Sequence, residues 1–218
     1  RSKKVYRFIQ NQYTWNGEYR FLKKIKVKEA FEEKKGNVFD INLSLYYALQ
    51  AANINSKLVL LSTRDREVPT KLYPVISEFN YLIVKTVIDN KVYFLDAVNK
   101  NVPCGWIQVE SLKGDGRVMD FKNGSFWEKI SLKQKTAKST RLNLTLTNES
   151  LTGNVSIKRT GYFAVNYRNR FKGKLEKDIL EEIETIYPDI EIDKYQLKQL
   201  NENENPINES YNVFVDVD

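Results

Sequence analysis

Val38, Ile41, Leu45, Leu49 and Ala52 follow one another at steps of three and four, the spacing of one helix face, while Phe39, Leu43 and Tyr46 fill the neighbouring faces. A helix apolar on most sides belongs in the interior. Asn37 suits its N-cap, and Asp40, at the third helical position, places a carboxylate at the positive end. The β-type run Leu58-Val59-Leu60-Leu61 follows at once. Upstream, Val5, Phe8, Ile9 and Tyr13 share one face of an opening helix, Lys3 to Gln12, which ends near Thr14-Trp15-Asn16-Gly17. Ile25, Val27, Ala30 and Phe31 predict a second, short helix stopped by Gly36. Strands are expected near Lys57 to Ser62, Tyr81 to Ile88 and Lys91 to Leu95, the last two joined by an Asp89-Asn90 hairpin turn. Helices first and antiparallel strands afterwards is an α+β order.

Beyond Asp96 the chain turns often, at Asn99 to Pro103, Lys113 to Gly116 and Lys122 to Ser125; Gly114 and Gly116 suit positive backbone angles. Phe126 to Ile130 closes a first domain, and the polar stretch Lys133 to Thr140 reads as a boundary. Arg141 to Thr147 and Asn154 to Lys158 then alternate apolar and polar, as half-exposed strands do. Leu175, Ile179, Leu180, Ile183 and Ile186 form a helical stripe up to Pro188. Tyr211, Val213, Val215 and Val217 alternate again, as an edge strand. The expectation is two domains: residues 1–133, and a smaller β-rich domain with one helix at 134–218.

Composition narrows the chemistry. The 218 residues contain no histidine, which excludes Ser-His-Asp and Cys-His-Asp triads, the usual zinc sites and histidine general bases. The single cysteine, Cys104, cannot form an internal disulfide; in its turn-like setting it reads as a small apolar residue. No run is long enough to span a bilayer. The chain opens at Arg1 directly in a helical pattern, so it is expected to be a piece of a longer protein. A net charge of +7 raises the question of nucleic acid, but the basic clusters (Lys23 to Lys28; Lys133 to Arg141; Arg168, Arg170, Lys172 and Lys174) fall where solvated faces and turns are expected, with no recognition motif. Nucleic acid is therefore not the expected partner. Asn201 to Asn205 is a polar loop without the glycine and closing glutamate of a calcium hand, and no cofactor or metal is expected. Paired carboxylates remain open to a histidine-free chain: Glu32, Glu33, Asp40, Asp65, Glu67, Glu78, Asp89 and Asp96 supply candidates for an enzyme acting on carbohydrate or peptide.

Lys35-Gly36-Asn37-Val38-Phe39-Asp40-Ile41-Asn42-Leu43, followed by Leu49-Gln50-Ala51-Ala52-Asn53-Ile54, resembles the nucleophile helix of transglutaminase-like (papain-like) proteins, where Gly-x-Cys opens a helix ending in Leu-x-Ala-x-Gly-Ile. Leu61-Ser62-Thr63-Arg64, Tyr73-Pro74, Phe79-Asn80-Tyr81, Tyr93-Phe94-Leu95-Asp96-Ala97 and the later Thr160-Gly161-Tyr162-Phe163-Ala164 look like the bacterial cell-envelope branch of that superfamily. The resemblance implies a transglutaminase-like first domain with an antiparallel sheet. It also implies that Val38 stands at the nucleophile position, Tyr81 at the histidine position and Asp96 at the aspartate position. Val38 is no nucleophile, and a phenol of pKa about 10 is a poor base at neutral pH. The expectation is a pseudoenzyme: a periplasmic or membrane-associated module that binds protein or glycan, or acts as a scaffold. Trp15, Asn37, Asn42 and Asn80 are candidates to line any residual cleft. Ser44, Ser62 and Thr63 read as hydroxyls bonded to backbone rather than replacement nucleophiles; Asp96 could orient a polar group in a residual cleft, but reads rather as an acceptor for the Tyr81 hydroxyl or as a turn cap.

Overall fold

The computed structural model describes residues 1–19, 26–131, 134–147 and 149–216. The chain is α+β and divides into two compact units, Arg1–Leu132 and Lys133–Asp218. Among the described residues no helix is long and apolar enough to cross a membrane.

The first unit runs α1 (Ser2–Gln12), β1 (Thr14–Trp15), α2 (Val27–Glu33), β2 (Lys35–Gly36), α3 (Val38–Ala51), β3 (Ser56–Leu61), β4 (Tyr81–Ile88), β5 (Lys91–Leu95), β6 (Asp115–Met119) and β7 (Phe126–Lys129). Five strands form one antiparallel sheet in the order β5-β4-β3-β6-β7, and β1 and β2 make a short parallel pair. Helix α3 lies against this sheet and buries Val38, Phe39, Ile41, Leu45 and Leu49 in one core with Val59, Leu61, Ile83 and Leu95. Its start is fixed by a reciprocal cap: the Asn37 side chain accepts from Phe39 N and Asp40 N, and Asp40 accepts from Asn37 N. It ends in a Schellman turn, with Asn53 at φ +56° and Ile54 N bonded to Leu49 O at 2.9 Å. The β4–β5 hairpin turns at Asp89 and Asn90, both left-handed, as a two-residue turn compatible with strand twist requires.

Two expectations for this unit change. The buried side of α1 is Tyr6, Ile9 and Gln10, while Phe8 is 58% exposed. The face is turned by hydrogen bonding: the Tyr6 hydroxyl donates to Asp96 O and Val102 O, and Gln10 Nε2 to Asn99 O and Val102 O. Gly114 has the expected positive φ. Gly116 instead sits within β6, where a Cβ would come within 2.6 Å of Val59 Cγ1, so close packing demands the glycine there. Ile25 lies outside the described residues, as do Lys23 and Lys24.

The second unit runs β8 (Ala137–Leu146), β9 (Ser150–Thr160), α4 (Tyr162–Phe171), α5 (Glu176–Ile186), β10 (Glu191–Lys198) and β11 (Ile207–Asp216), with an antiparallel sheet ordered β10-β11-β9-β8. Among the described residues it holds two helices, not one. Helix α4 escapes a hydrophobic count because Arg168 occupies a core position of the stripe Ala164, Tyr167, Arg168 and Phe171. The last strand is interior rather than an edge: β11 pairs with both β10 and β9. Residues 137–140, expected in a boundary, belong to β8. Finally, the cluster from Arg168 to Lys174 is not wholly a solvated face, since Arg168 is 1% exposed.

Candidate functional site

The first residue of α3, the first residue of β4 and the residue that follows β5 are Val38, Tyr81 and Asp96. All three are 0% exposed. The Tyr81 hydroxyl donates to Asp96 Oδ2 at 2.8 Å, and Asn42 Nδ2 donates to Asp96 Oδ1 at 3.0 Å. Asn42 stands one helical turn after Val38 and therefore on the same face of α3. It also bridges the two strand ends, donating to Leu82 O and accepting from Ala97 N. Backbone donors complete the carboxylate: Val98 N reaches Oδ1 and Gln108 N reaches Oδ2, both at 3.2 Å. The Gln108 side chain donates to the Tyr81 hydroxyl at 2.9 Å. Ser111 is fully buried beside this network, its Oγ without a hydrogen-bond partner within normal geometry among the described residues.

Burial raises the pKa of Asp96, with the bonds from Asn42 and Tyr81 opposing it. The Tyr81 phenol is driven well above its usual range, first by burial and then by the Asp96 charge. In this geometry the phenol donates to Asp96, and the two oxygens of Asp96 already accept four hydrogen bonds from the protein itself.

The helix start offers nothing to an oxyanion. Asn37 N, Phe39 N and Asp40 N are taken by the cap, and Val38 N donates to Glu18 O at 3.3 Å. An N-terminus whose first four amides are all occupied has no donors left to stabilise developing negative charge.

The candidate cleft residues are used inside the fold. Asn37 caps α3, Asn42 joins the network, and Asn80 exchanges hydrogen bonds with Thr63, giving Nδ2 to Oγ1 and accepting from Thr63 N. Each is at most 8% exposed. Trp15 is half-buried: its ring meets Tyr19 edge-on at 5.2 Å, and Tyr19 packs on Tyr81 at 5.8 Å. Ser44 donates to Asp40 O, and Ser62 to Glu67 O. Of the candidate carboxylates, Asp40 and Asp96 are consumed in this way and Glu78 caps Thr70 and Val75, while Glu32, Glu33, Asp65, Glu67 and Asp89 are exposed. Tyr6, Gln10, Gln108 and Ser111 were not singled out from the sequence. They come from α1 and from the turn-rich segment after β5, and no local pattern marks them.

Buried phenols give this arrangement a spectroscopic signature. Tyr13, Tyr19, Tyr81, Tyr167, Tyr195 and Tyr211 all have raised pKa values, with burial the largest cause in each. At least six of the thirteen tyrosines should therefore stay protonated in the folded protein at a pH where a free phenol ionises. A group whose folded pKa is raised favours folding while protonated, so stability should decline as the pH rises above about 10. Phenolate absorbance during alkaline titration, with and without denaturant, measures both effects.

Comparison with protein-family models gave no match, and comparison with curated proteins gave none. Among solved structures, the chain is similar to a protein from Parabacteroides distasonis ATCC 8503 described as a "putative protease", with a TM-score of 0.41 and 8% identity over 99% of this chain. The chain spans 45% of the length of that protein.

Proposed function

We propose that the first unit is a transglutaminase-like domain that has lost its chemistry, and that the chain works as a non-catalytic module, binding protein or glycan or serving as a scaffold, in a bacterial cell-envelope protein. The observation that carries this reading is the closed corner: Val38 at the start of α3, with Tyr81, Asp96 and Asn42 bonded to one another and withdrawn from solvent. The order of the elements supports this reading. Val38 opens the helix, Tyr81 opens a strand, Asp96 follows the next strand, and Asn53 takes the left-handed position of the motif glycine. A site that acts as a unit loses nearly all its rate when two of three members are missing.

The test is turnover. Incubated with a fluorescent primary amine and a glutamine-bearing protein, the chain should incorporate no label, release no ammonia and cleave no peptide. Activity abolished by Ser44→Ala, Thr63→Ala or Cys104→Ala would overturn the reading. A second measurement probes the closure itself. In a Cys104→Ser background, Val38→Cys should react with iodoacetamide only as fast as the region opens. Rapid alkylation of the folded variant would mean that a cleft reaches this position.

A further inference from the structure

Strand β8 is one of the two outer strands of the second sheet, β10 being the other, and all ten of its residues are exposed. Its leucines alternate on one face: Leu142, Leu144 and Leu146 are 57%, 40% and 67% exposed. Leu142 and Leu144 form one wall of an apolar groove of about 650 Å³, with Phe163 of α4 and Ile186 of α5 also lining it. Across β9, Leu144 faces Gly153 and so has no side chain beside it.

The backbone parity of β8 follows from its turn. Thr147 N donates to Ser150 O at 2.8 Å, and the pairing with β9 runs from Leu146↔Leu151 to Ala137↔Thr160 without a slip. Thr145, Asn143 and Arg141 therefore turn their amides and carbonyls toward β9, and Leu142, Leu144 and Leu146 turn theirs to the open edge. Among the described residues, those whose backbone groups face away from β9 are the same ones that expose apolar side chains.

We propose that β8 pairs antiparallel with β8 of a second copy about a two-fold axis at Leu144, joining two four-stranded sheets into one of eight strands. A two-fold axis normal to the sheet keeps each face on its own side, so even positions meet even ones. With Leu144 on Leu144, Leu142 meets Leu146 on both sides of the axis, and six leucines form one strip. On the other face Asn143 meets Thr145 and Arg141 meets Thr147, so no like charges are opposed. Centring on Leu142 would instead set Leu146 against Lys138 and Leu144 against Thr140. The leucine register is self-complementary, as an isologous contact must be. It also closes an exposed apolar edge, the feature that otherwise invites indiscriminate pairing.

Sedimentation velocity on the whole chain should show the mass rise from 25.6 kDa toward twice that value over about a hundredfold range of concentration. Leu144→Lys, which opposes two ammonium groups at the axis, should remain monomeric with an unchanged circular dichroism spectrum. If it misfolds, Leu144→Thr supplies the same test with a residue suited to strands. Register is read by cross-linking in a Cys104→Ser background. Leu144→Cys should form an intermolecular disulfide, because directly opposed residues lie about 5.5 Å apart. Leu142→Cys should not, its copy lying four residues, or about 14 Å, along the strand. Three outcomes overturn the proposal: a monomer at every concentration, cross-linking through Leu142→Cys as readily as through Leu144→Cys, or a monomer that instead takes up a foreign apolar strand.

Discussion

Asp96→Ala is expected to lower the melting temperature of the first unit by about 10 °C or more. The substitution removes the acceptor of four donors, namely Tyr81 Oη, Asn42 Nδ2, Val98 N and Gln108 N. Each donor left unsatisfied away from water costs about 1–3 kcal/mol, and together, allowing for non-additivity, about 3–5 kcal/mol. At about 3 °C per kcal/mol for a unit of this size the shift is readily measured. Asp96→Asn keeps one acceptor oxygen but turns an amide toward donors, so an intermediate loss is expected. Acidity adds a second readout. Since burial raises the folded pKa of Asp96 above 3.8, its contribution is full below that pH and falls as the pH rises through the folded value. Asp96→Asn should flatten that slope. A melting temperature within about 2 °C of the parent for Asp96→Ala would mean that the network is not what holds α3 to β4 and β5.

Arg168→Met should have an effect of similar size in the second unit. The guanidinium is buried and donates to five main-chain carbonyls: Leu200 O through Nε, Asn203 O through Nη1, and Gln199 O, Glu202 O and Asn205 O through Nη2. These carbonyls belong to the segment joining β10 to β11, and they converge because one planar fork of donors satisfies them together. Removing the fork leaves several carbonyl dipoles facing one another without a donor, a loss expected to exceed about 3 kcal/mol. Arg168→Lys should recover little, since a single ammonium has three donors and cannot reach around the loop. The two variants separate by probe. Trp15, Trp106 and Trp127 all lie in the first unit, so tryptophan fluorescence should follow the Asp96 variants. Far-ultraviolet circular dichroism, with hydrogen exchange of residues 199–205, should follow the Arg168 variants.

The clearest elements of the chain were written in local patterns. The α3 stripe, its Asn37 and Asp40 cap, the Asp89-Asn90 turn and the alternation of β8 and β11 each express a periodicity or a turn preference that acts over a few residues. Such preferences are legible because no distant residue is needed to create them. In two of the places where the reading departed from the fold, a polar residue had been given to solvent although it belongs inside. Gln10 reorients α1 by bonding to carbonyls some ninety residues away, and Arg168 hid α4 by standing in a core position.

The sequence by itself determined the α+β order, the start of the central helix, and the lack of any imidazole for catalysis. Through the resemblance it also offered the Tyr81 hydroxyl as one of three open roles for Asp96, the one that the structure shows. Only the tertiary structure decided that Asn42 and the backbone amides of Val98 and Gln108 share Asp96 with Tyr81, that every amide at the start of α3 is occupied, and that β11 is enclosed while β8 lies open at an edge. The physical reason is range. Periodicity and capping are set by neighbours within a turn or two, whereas the partners of a buried polar group, and the identity of the outermost strand, depend on which distant segments the fold brings together.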